Sequence, residues 1–189
     1  MIETDRLKVR AFLPDDAVDL HEYLSDPAVY VFEPGAPVSL AEANEMAQQR
    51  ALGSDFWAVE LKENRKQIGH LYFNRVDPDE RKMWELGYIF NPEYQKQGFA
   101  SEAARALVEY AFRNLEVHRI MARCDPRNTP SWKLLEGIGF RREAHFRMYG
   151  FFRRDAQGHP LWHDAYEYAM LETDISTSKN HRIDGSRGI

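Results

Sequence analysis

Between the apolar run at residues 84–90 and a helical pattern that starts near Gly98 lies the segment Gln95-Lys96-Gln97-Gly98-Phe99-Ala100. A strand that stops at Asn91-Pro92 and turns through glycine into a helix commits this part of the chain to an α/β arrangement. The same turn leaves unpaired backbone N–H groups at the positive end of the helix, where phosphate binds well. Gly98 and Ala100 carry too little side chain to hold a pyrophosphate off that backbone. The expected ligand is therefore a phosphorylated cofactor. Two familiar phosphate loops do not account for it: the chain has no G-x-x-x-x-G-K-S/T, and Gly98 is not followed by the further glycines of G-x-G-x-x-G.

Helical and extended patterns alternate around this segment. Residues 14–24 read as a helix with Ala17, Leu20 and Leu24 on one face. Ser39-x-x-Glu42 is a capping box that opens a second helix, with Leu40, Ala43 and Ala47 on one stripe. Between them, Asp26-Pro27 and the proline-rich residues 33–37 form a loop. Residues 56–61, 68–75 and 82–90 read as strands, with turns around Glu63-Asn64-Arg65 and Asp77-Pro78-Asp79. Ala100, Ala103, Ala104, Leu107, Val108, Ala111 and Leu115 then fall at helical spacing, which makes residues 98–114 the best-defined helix. A strand over 117–123, a helix over 128–138 closed by Gly139, and strands over about 140–152 and 161–171 complete the pattern. From Thr173 on the chain is polar and aperiodic, so the expectation is one domain over residues 1–172 and a disordered tail.

Composition sets limits. A chain of 189 residues with 43% hydrophobic content buries one good core. Its apolar runs fall far short of the ~18 residues needed to span a bilayer, and neither a membrane span nor a secretory leader is expected. One cysteine excludes an intrachain disulfide framework and suits a reducing cytoplasm. A net charge of −5 argues against nonspecific nucleic-acid binding. Arg141, Arg142, Arg147, Arg153 and Arg154 form a local basic run, read as a solvated hairpin face.

Several stretches together resemble the GNAT acetyltransferase family. The pattern R/Q-x-x-G-x-G/A after a strand is similar to that family's acetyl-CoA pyrophosphate loop, and here it falls on Gln95, Gly98 and Ala100. Thr4-Asp5-Arg6-Leu7-Lys8-Val9-Arg10 with Asp15-Asp16-Ala17 resembles its first strand and helix. Gln67-Ile68-Gly69-His70-Leu71-Tyr72-Phe73 resembles its third strand, and Trp84-Glu85-Leu86-Gly87-Tyr88 its fourth. Asn128-Thr129-Pro130-Ser131-Trp132 through Gly139-Phe140 resembles its second cofactor motif. The likeness covers roughly residues 4–172 and is greatest to the branch of ribosomal-protein N-terminal acetyltransferases, which also holds enzymes for other amines.

The resemblance implies an α/β GNAT fold: a central mixed, mostly antiparallel seven-stranded sheet, flanked by about four helices, whose parallel fourth and fifth strands splay apart. It implies acetyl-CoA as cosubstrate and no metal. The pantetheine would lie against the backbone of Leu86, Tyr88 and Phe90, and the pyrophosphate on Gln95, Lys96, Gln97, Gly98, Phe99 and Ala100. Asn128 would orient coenzyme A. Ser131 would protonate the departing thiolate, since the helix that follows carries no tyrosine for that task. Glu85 would act as base through water, with a backbone N–H near Tyr88 holding the oxyanion. Each residue also has a plain structural reading. Tyr88 and Phe90 can sit in a closed sheet, Asn128 is a common helix cap, and Glu85 suits the edge of an alternating strand.

The chemistry bounds the base. At pH 7, deprotonating an α-amine of pKa ≈ 7.7 costs about 1 kcal/mol, against roughly 4.6 for a lysine at ≈ 10.4. A weak base therefore suffices for an N-terminal acceptor. Cys124 has no activating signature and reads as structural. The seven histidines show no H-E-x-x-H or paired Cys/His spacing, so no zinc site is expected. His159 and His163 read as solvated turn residues; Tyr30, Phe32, Trp57 and Tyr72 read mainly as core, with an acceptor pocket as the alternative. The expected protein is an N-acetyltransferase, monomeric or homodimeric, acting on a protein N-terminus or a small-molecule amine. The rival is a non-catalytic acyl-CoA-binding sensor with the same fold. The acceptor pocket has no readable code.

Overall fold

The computed structural model describes residues 1–76 and 78–175. Its strands are β1 (Ile2–Glu3), β2 (Leu7–Ala11), β3 (Phe56–Leu61), β4 (Gln67–Val76), β5 (Met83–Phe90), β6 (Arg119–Cys124), β7 (Arg141–Arg154) and β8 (Pro160–Leu171). They form a single sheet in the order β1-β2-β3-β4-β5-β6-β8-β7. The count is eight where the sequence leads one to expect seven. The addition is the two-residue β1, too short to show period-2 alternation, which pairs with β2 through Ile2 and Val9. The expected parallel fourth and fifth strands are β5 and β6.

Helices α1 (Ala17–Leu24) and α2 (Leu40–Leu52) cover one face; α3 (Phe99–Asn114) and α4 (Thr129–Ile138) cover the other. The helical spacing in α3 does what it implies: Ala103, Ala104, Leu107, Val108 and Ala111 are all buried. Burying each large side chain in that stripe contributes about 1.5–3 kcal/mol, and the alanines let the helix lie close to the sheet. The capping box of α2 forms, with Ser39 Oγ accepting from Glu42 N at 3.3 Å and Glu42 accepting from Ser39 N at 2.7 Å. Leu40, however, is exposed, because α2 turns only Ala43 and Ala47 fully inward.

The feature that positions the site is the incomplete pairing of β5 with β6. They run parallel over only three registered pairs, Met83 with Arg119, Trp84 with Ile120 and Glu85 with Met121. Beyond them β5 stays with β4 as far as Phe90, while β6 stays with β8 as far as Cys124. The strands therefore diverge from Leu86 onward. Asn91 N donates to Ile68 O on the β4 side, so alternation turns the amides of Leu86, Tyr88 and Phe90 toward the opening. Gly69 holds the β4 side of β5 in place: a Cβ there would come within 2.7 Å of Ile89 O and 2.8 Å of the Phe90 ring.

After β8 the chain continues through Thr173 to Ile175. Asp174 accepts from Leu171 N at 3.0 Å and pairs with Arg141 at 3.0 Å, and Ile175 packs on the core. The rest of the expected tail lies outside the described residues. Among the described residues, no helix is long and apolar enough to cross a membrane.

Candidate active site

The phosphate loop has the shape its composition implies. Lys96 and Gly98 both take the left-handed conformation, φ 60° and 83°, and Gly98 caps α3. Helix geometry then leaves the first N–H groups of α3 without intrahelical partners. The loop is braced from the N-terminus: Arg6 donates to Gln97 O at 3.1 Å, pairs with Glu102 at 2.6 Å and lies 4.3 Å above the Phe99 ring. Thr4 Oγ1 donates to the same Glu102 at 2.6 Å. The Thr4 and Arg6 of the first-strand pattern thus serve the loop almost a hundred residues away.

A cavity of about 590 Å³ runs from this loop along the open edge of β5 to α4. Of the residues expected to hold the cofactor, Tyr88, Phe90, Gln95, Lys96, Gly98, Phe99, Ala100, Asn128 and Ser131 line it. Gln97 turns away, its side chain donating to Glu93 O at 3.2 Å. Leu86 lines a second cavity, of about 150 Å³, at the point where β5 and β6 part. The two cavities share Phe32, Glu33, Tyr88, Asn128 and Ser131. Lys133, not expected from the sequence, adds a second cation beside Lys96 to the larger one.

At the junction Tyr88 and Ser131 meet. Their hydroxyls are 2.9 Å apart, and the Tyr88 hydroxyl donates to the Ser131 carbonyl at 3.2 Å. Burial holds the Tyr88 phenol protonated far above its ordinary range. Asn128 acts as cap, its Oδ1 accepting from Ser131 N at 3.3 Å, which fixes the serine at the first turn of α4. α4 carries no tyrosine, yet one reaches Ser131 from β5, across a separation of 43 residues that no local motif spans. Cys124 lies against Ser131, and burial pushes its thiol up to about 11, which suits its structural reading.

Glu85 is elsewhere. Alternation along β5 puts Leu86, Tyr88 and Phe90 in the core under α3 and α4, and Ile89 in the core under α1 and α2. Glu85 shares the Ile89 parity; it lines neither cavity and faces Arg123 at 3.6 Å. The carboxylate at the junction is instead Glu33, from the loop before α2. It has no hydrogen-bond or ion-pair partner among the described residues, and desolvation pushes its carboxyl up to about 7. A lone Glu-Pro in a loop carries no sequence signal for this placement. His163 also departs from expectation: it is a half-buried lining residue of the smaller cavity, with Nε2 buried. Of the four aromatics read mainly as core, Phe32 lines both cavities, whereas Tyr30 is buried and donates to Leu24 O at 2.9 Å.

A strand edge left open beside a glycine-capped helix is the geometry the sequence resemblance implied, and the comparisons agree. A family model described as an acetyltransferase (GNAT) domain matches residues 6–141. The chain belongs to the GNAT acetyltransferase family. An uncharacterized N-acetyltransferase of Bacillus subtilis, YnaD, is 35% identical over 92% of this chain and 98% of its own length. The ribosomal protein uS5-alanine N-acetyltransferase of Escherichia coli is 30% identical over 78% of this chain and 81% of its own. The crystal structure of a GNAT-family acetyltransferase from Bacillus anthracis superposes with a TM-score of 0.83 at 34% identity, covering 91% of this chain and 98% of that one. In this GNAT chain the motif residues Gln95, Gly98, Ala100, Asn128 and Ser131 line the larger cavity; Glu33 and His163 lie outside the motifs.

Proposed function

We propose that the protein transfers the acetyl group of acetyl-CoA directly to a primary amine, on a protein N-terminus or a small molecule. The observation that carries the reading is the Tyr88–Ser131 hydroxyl pair at the junction of the two cavities, with the phosphate loop heading one of them. The residues fit acetyl-CoA. Orphan N–H groups at α3 suit the pyrophosphate, with Lys96 and Lys133 as added positive charge. The open edge at Leu86, Tyr88 and Phe90 suits the amides of pantetheine, which pair with an unsatisfied strand as a peptide would. Asn128 holds the first turn of α4 in place, and Ser131 gives its proton to the departing sulfur. Tyr88 keeps that hydroxyl oriented. Of the two protons the nitrogen loses, one replaces the proton Ser131 gave up and the other leaves to solvent.

The uS5-alanine enzyme makes a protein α-amine the leading acceptor class, and the low cost of deprotonating such an amine agrees with it. No observation favours a non-catalytic sensor. The test is release of the coenzyme A thiol from acetyl-CoA against a panel of amines and N-terminal peptides. Acetyl-CoA binding with no thiol release toward any amine would defeat the reading.

A further inference from the structure

We propose that Glu33 is the general base of this acetyltransferase, and that the chamber it shares with Phe152 and His163 admits singly charged primary amines. The proposal rests on the acetyl-transfer reading and deepens it by naming the base and the charge class of the acceptor.

Glu33 stands where both substrates must meet, lining the two cavities beside Tyr88 and Ser131. Its loop is set from both ends: Tyr30 donates to Leu24 O and accepts at its carbonyl from Arg153 of β7, and Val38 N donates to Leu24 O at 3.0 Å. The other charges facing the chamber are committed. Arg123 pairs with Glu167 at 2.9 Å and faces Glu85, and Asp125 pairs with Arg127 at 2.6 Å. Tyr88 and Cys124 are held protonated by burial. Glu33 is thus the one lining carboxylate without a partner among the described residues. Its carboxyl, near 7, lies close to the ≈ 7.7 of an α-amine, so the proton passes between them almost without cost.

The opposite wall supplies a second acceptor for the ammonium. His163 Nδ1 lies 3.1 Å from the Asp164 carbonyl, which can only accept, so Nδ1 carries a proton. In the neutral ring Nε2 then presents a lone pair, buried and unpartnered among the described residues. The Phe152 ring lies 4.5 Å from that of His163, tilted by 37°, giving an aromatic wall suited to a cation. A β-bulge between Phe146 and Gly150, with Met148 at φ 48°, bends β7 so that Tyr149 and Phe152 line the chamber. Its 150 Å³ holds about five non-hydrogen atoms at the ~30 Å³ each water takes in the liquid. One free carboxylate balances one ammonium; a second in the same space would face Arg123 with no anion to meet it.

In the step itself the ammonium gives one proton to the Glu33 carboxylate, which returns it to solvent. The neutral nitrogen forms the C–N bond as the C–S bond breaks, and its second proton makes good the one Ser131 gave to sulfur.

The test measures thiol release from acetyl-CoA with an alanine-initiated peptide, n-butylamine and spermidine, for wild type, E33Q, E33A and E85Q. Butylamine titrates near lysine, ~10.4, which keeps the acceptor's own ionisation away from the window around 7. E33Q should lower kcat/KM at least about 100-fold, leave acetyl-CoA affinity within about twofold, and erase the inflection near pH 7. E33A should recover part of the rate with added formate. Peptide and butylamine should each exceed spermidine by about tenfold in kcat/KM, and the better of the two identifies the source of the ammonium. An E33Q rate within about threefold of wild type, or loss of the inflection in E85Q instead, would overturn the assignment of the base. Preference for spermidine would overturn the charge class. A wild type inert to every amine would sink the acetyl-transfer reading itself, whereas an active wild type with an indifferent E33Q would sink only Glu33.

Discussion

The two halves of the cleft are built by opposite means. The proposed cofactor half draws mainly on the stretch from the end of β5 through the loop into α3, joined by the start of α4 and the loop before α2, and works largely through backbone N–H and C=O groups. The proposed acceptor half is assembled from side chains on six separate segments: the loop at residues 32–33, β5, the end of β6, the first turn of α4, β7 around its bulge, and β8. A site made of backbone depends on glycine, caps and strand edges, which leave a pattern in sequence. A site made of distant side chains depends on how the elements pack. On the function proposed above, the first half would bind a ligand of fixed structure and the second would select among acceptors.

Four substitutions test this division. After the loss of rate expected for Glu33→Gln, the largest effect is that at Ser131. Ser131→Ala should lower kcat by about 10 to 100-fold while leaving acetyl-CoA affinity nearly unchanged, because a thiol with a pKa near 8.5 needs limited help to leave. Steady-state kinetics with a good acceptor decides it, and a kcat within twofold of wild type would remove Ser131 from the chemistry. On the backbone side, Gly98→Val forces a β-branched residue into φ 83°. Acetyl-CoA Kd should rise about tenfold or more, or at least about 1.4 kcal/mol, as read by calorimetric titration. Unchanged affinity would mean that the loop does not hold the cofactor.

Tyr88→Phe removes the hydroxyl partner of Ser131 and keeps the ring. Losing one hydrogen bond of about 0.5–1.5 kcal/mol should lower kcat about 2 to 10-fold, less than Ser131→Ala. An effect equal to or larger than that of Ser131→Ala would make Tyr88 the proton donor and Ser131 its support.

The smallest effect expected is on stability. Because the folded carboxyl of Glu33 sits near 7, above its ordinary 4.5, folding favours the protonated form. That contribution is complete below pH 4.5 and is lost as pH rises through 7, where the native state must carry a desolvated charge. Glu33→Gln removes the charge. Its Tm should therefore gain on wild type between pH 5 and pH 8, by a few degrees at about 2–4 °C per kcal/mol for a chain this size. A Tm difference that does not change with pH would mean that Glu33 is not desolvated.

Much of the fold was legible because its signals are local. The helical spacing from Ala103 to Ala111, the Ser39–Glu42 box, the apolar run ending at Phe90 and the glycine at 98 each encode an element or a boundary within a few residues. The two-residue β1 was not legible, being shorter than the period it would have to display. Within the site, Ser131 and the loop could be read from motifs, but Glu85 could not be placed. Strand alternation gives the parity of Glu85 relative to Tyr88, not which face will carry the cleft. Choosing the face depends on where α3 and α4 pack, and they pack on the Tyr88 side.

The sequence by itself determined a glycine-capped helix after a strand, because that follows from backbone geometry set by neighbouring residues, and its motifs carried the resemblance that implies the GNAT fold and acetyl-CoA. Only the tertiary structure decided that Tyr88 meets Ser131, that Arg6 braces a loop near residue 97, and that Glu33 stands at the junction without a partner among the described residues while Glu85 faces Arg123. Those facts depend on the desolvation and proximity of groups far apart in the chain. Such quantities exist only once the strands have parted and the helices have closed over them.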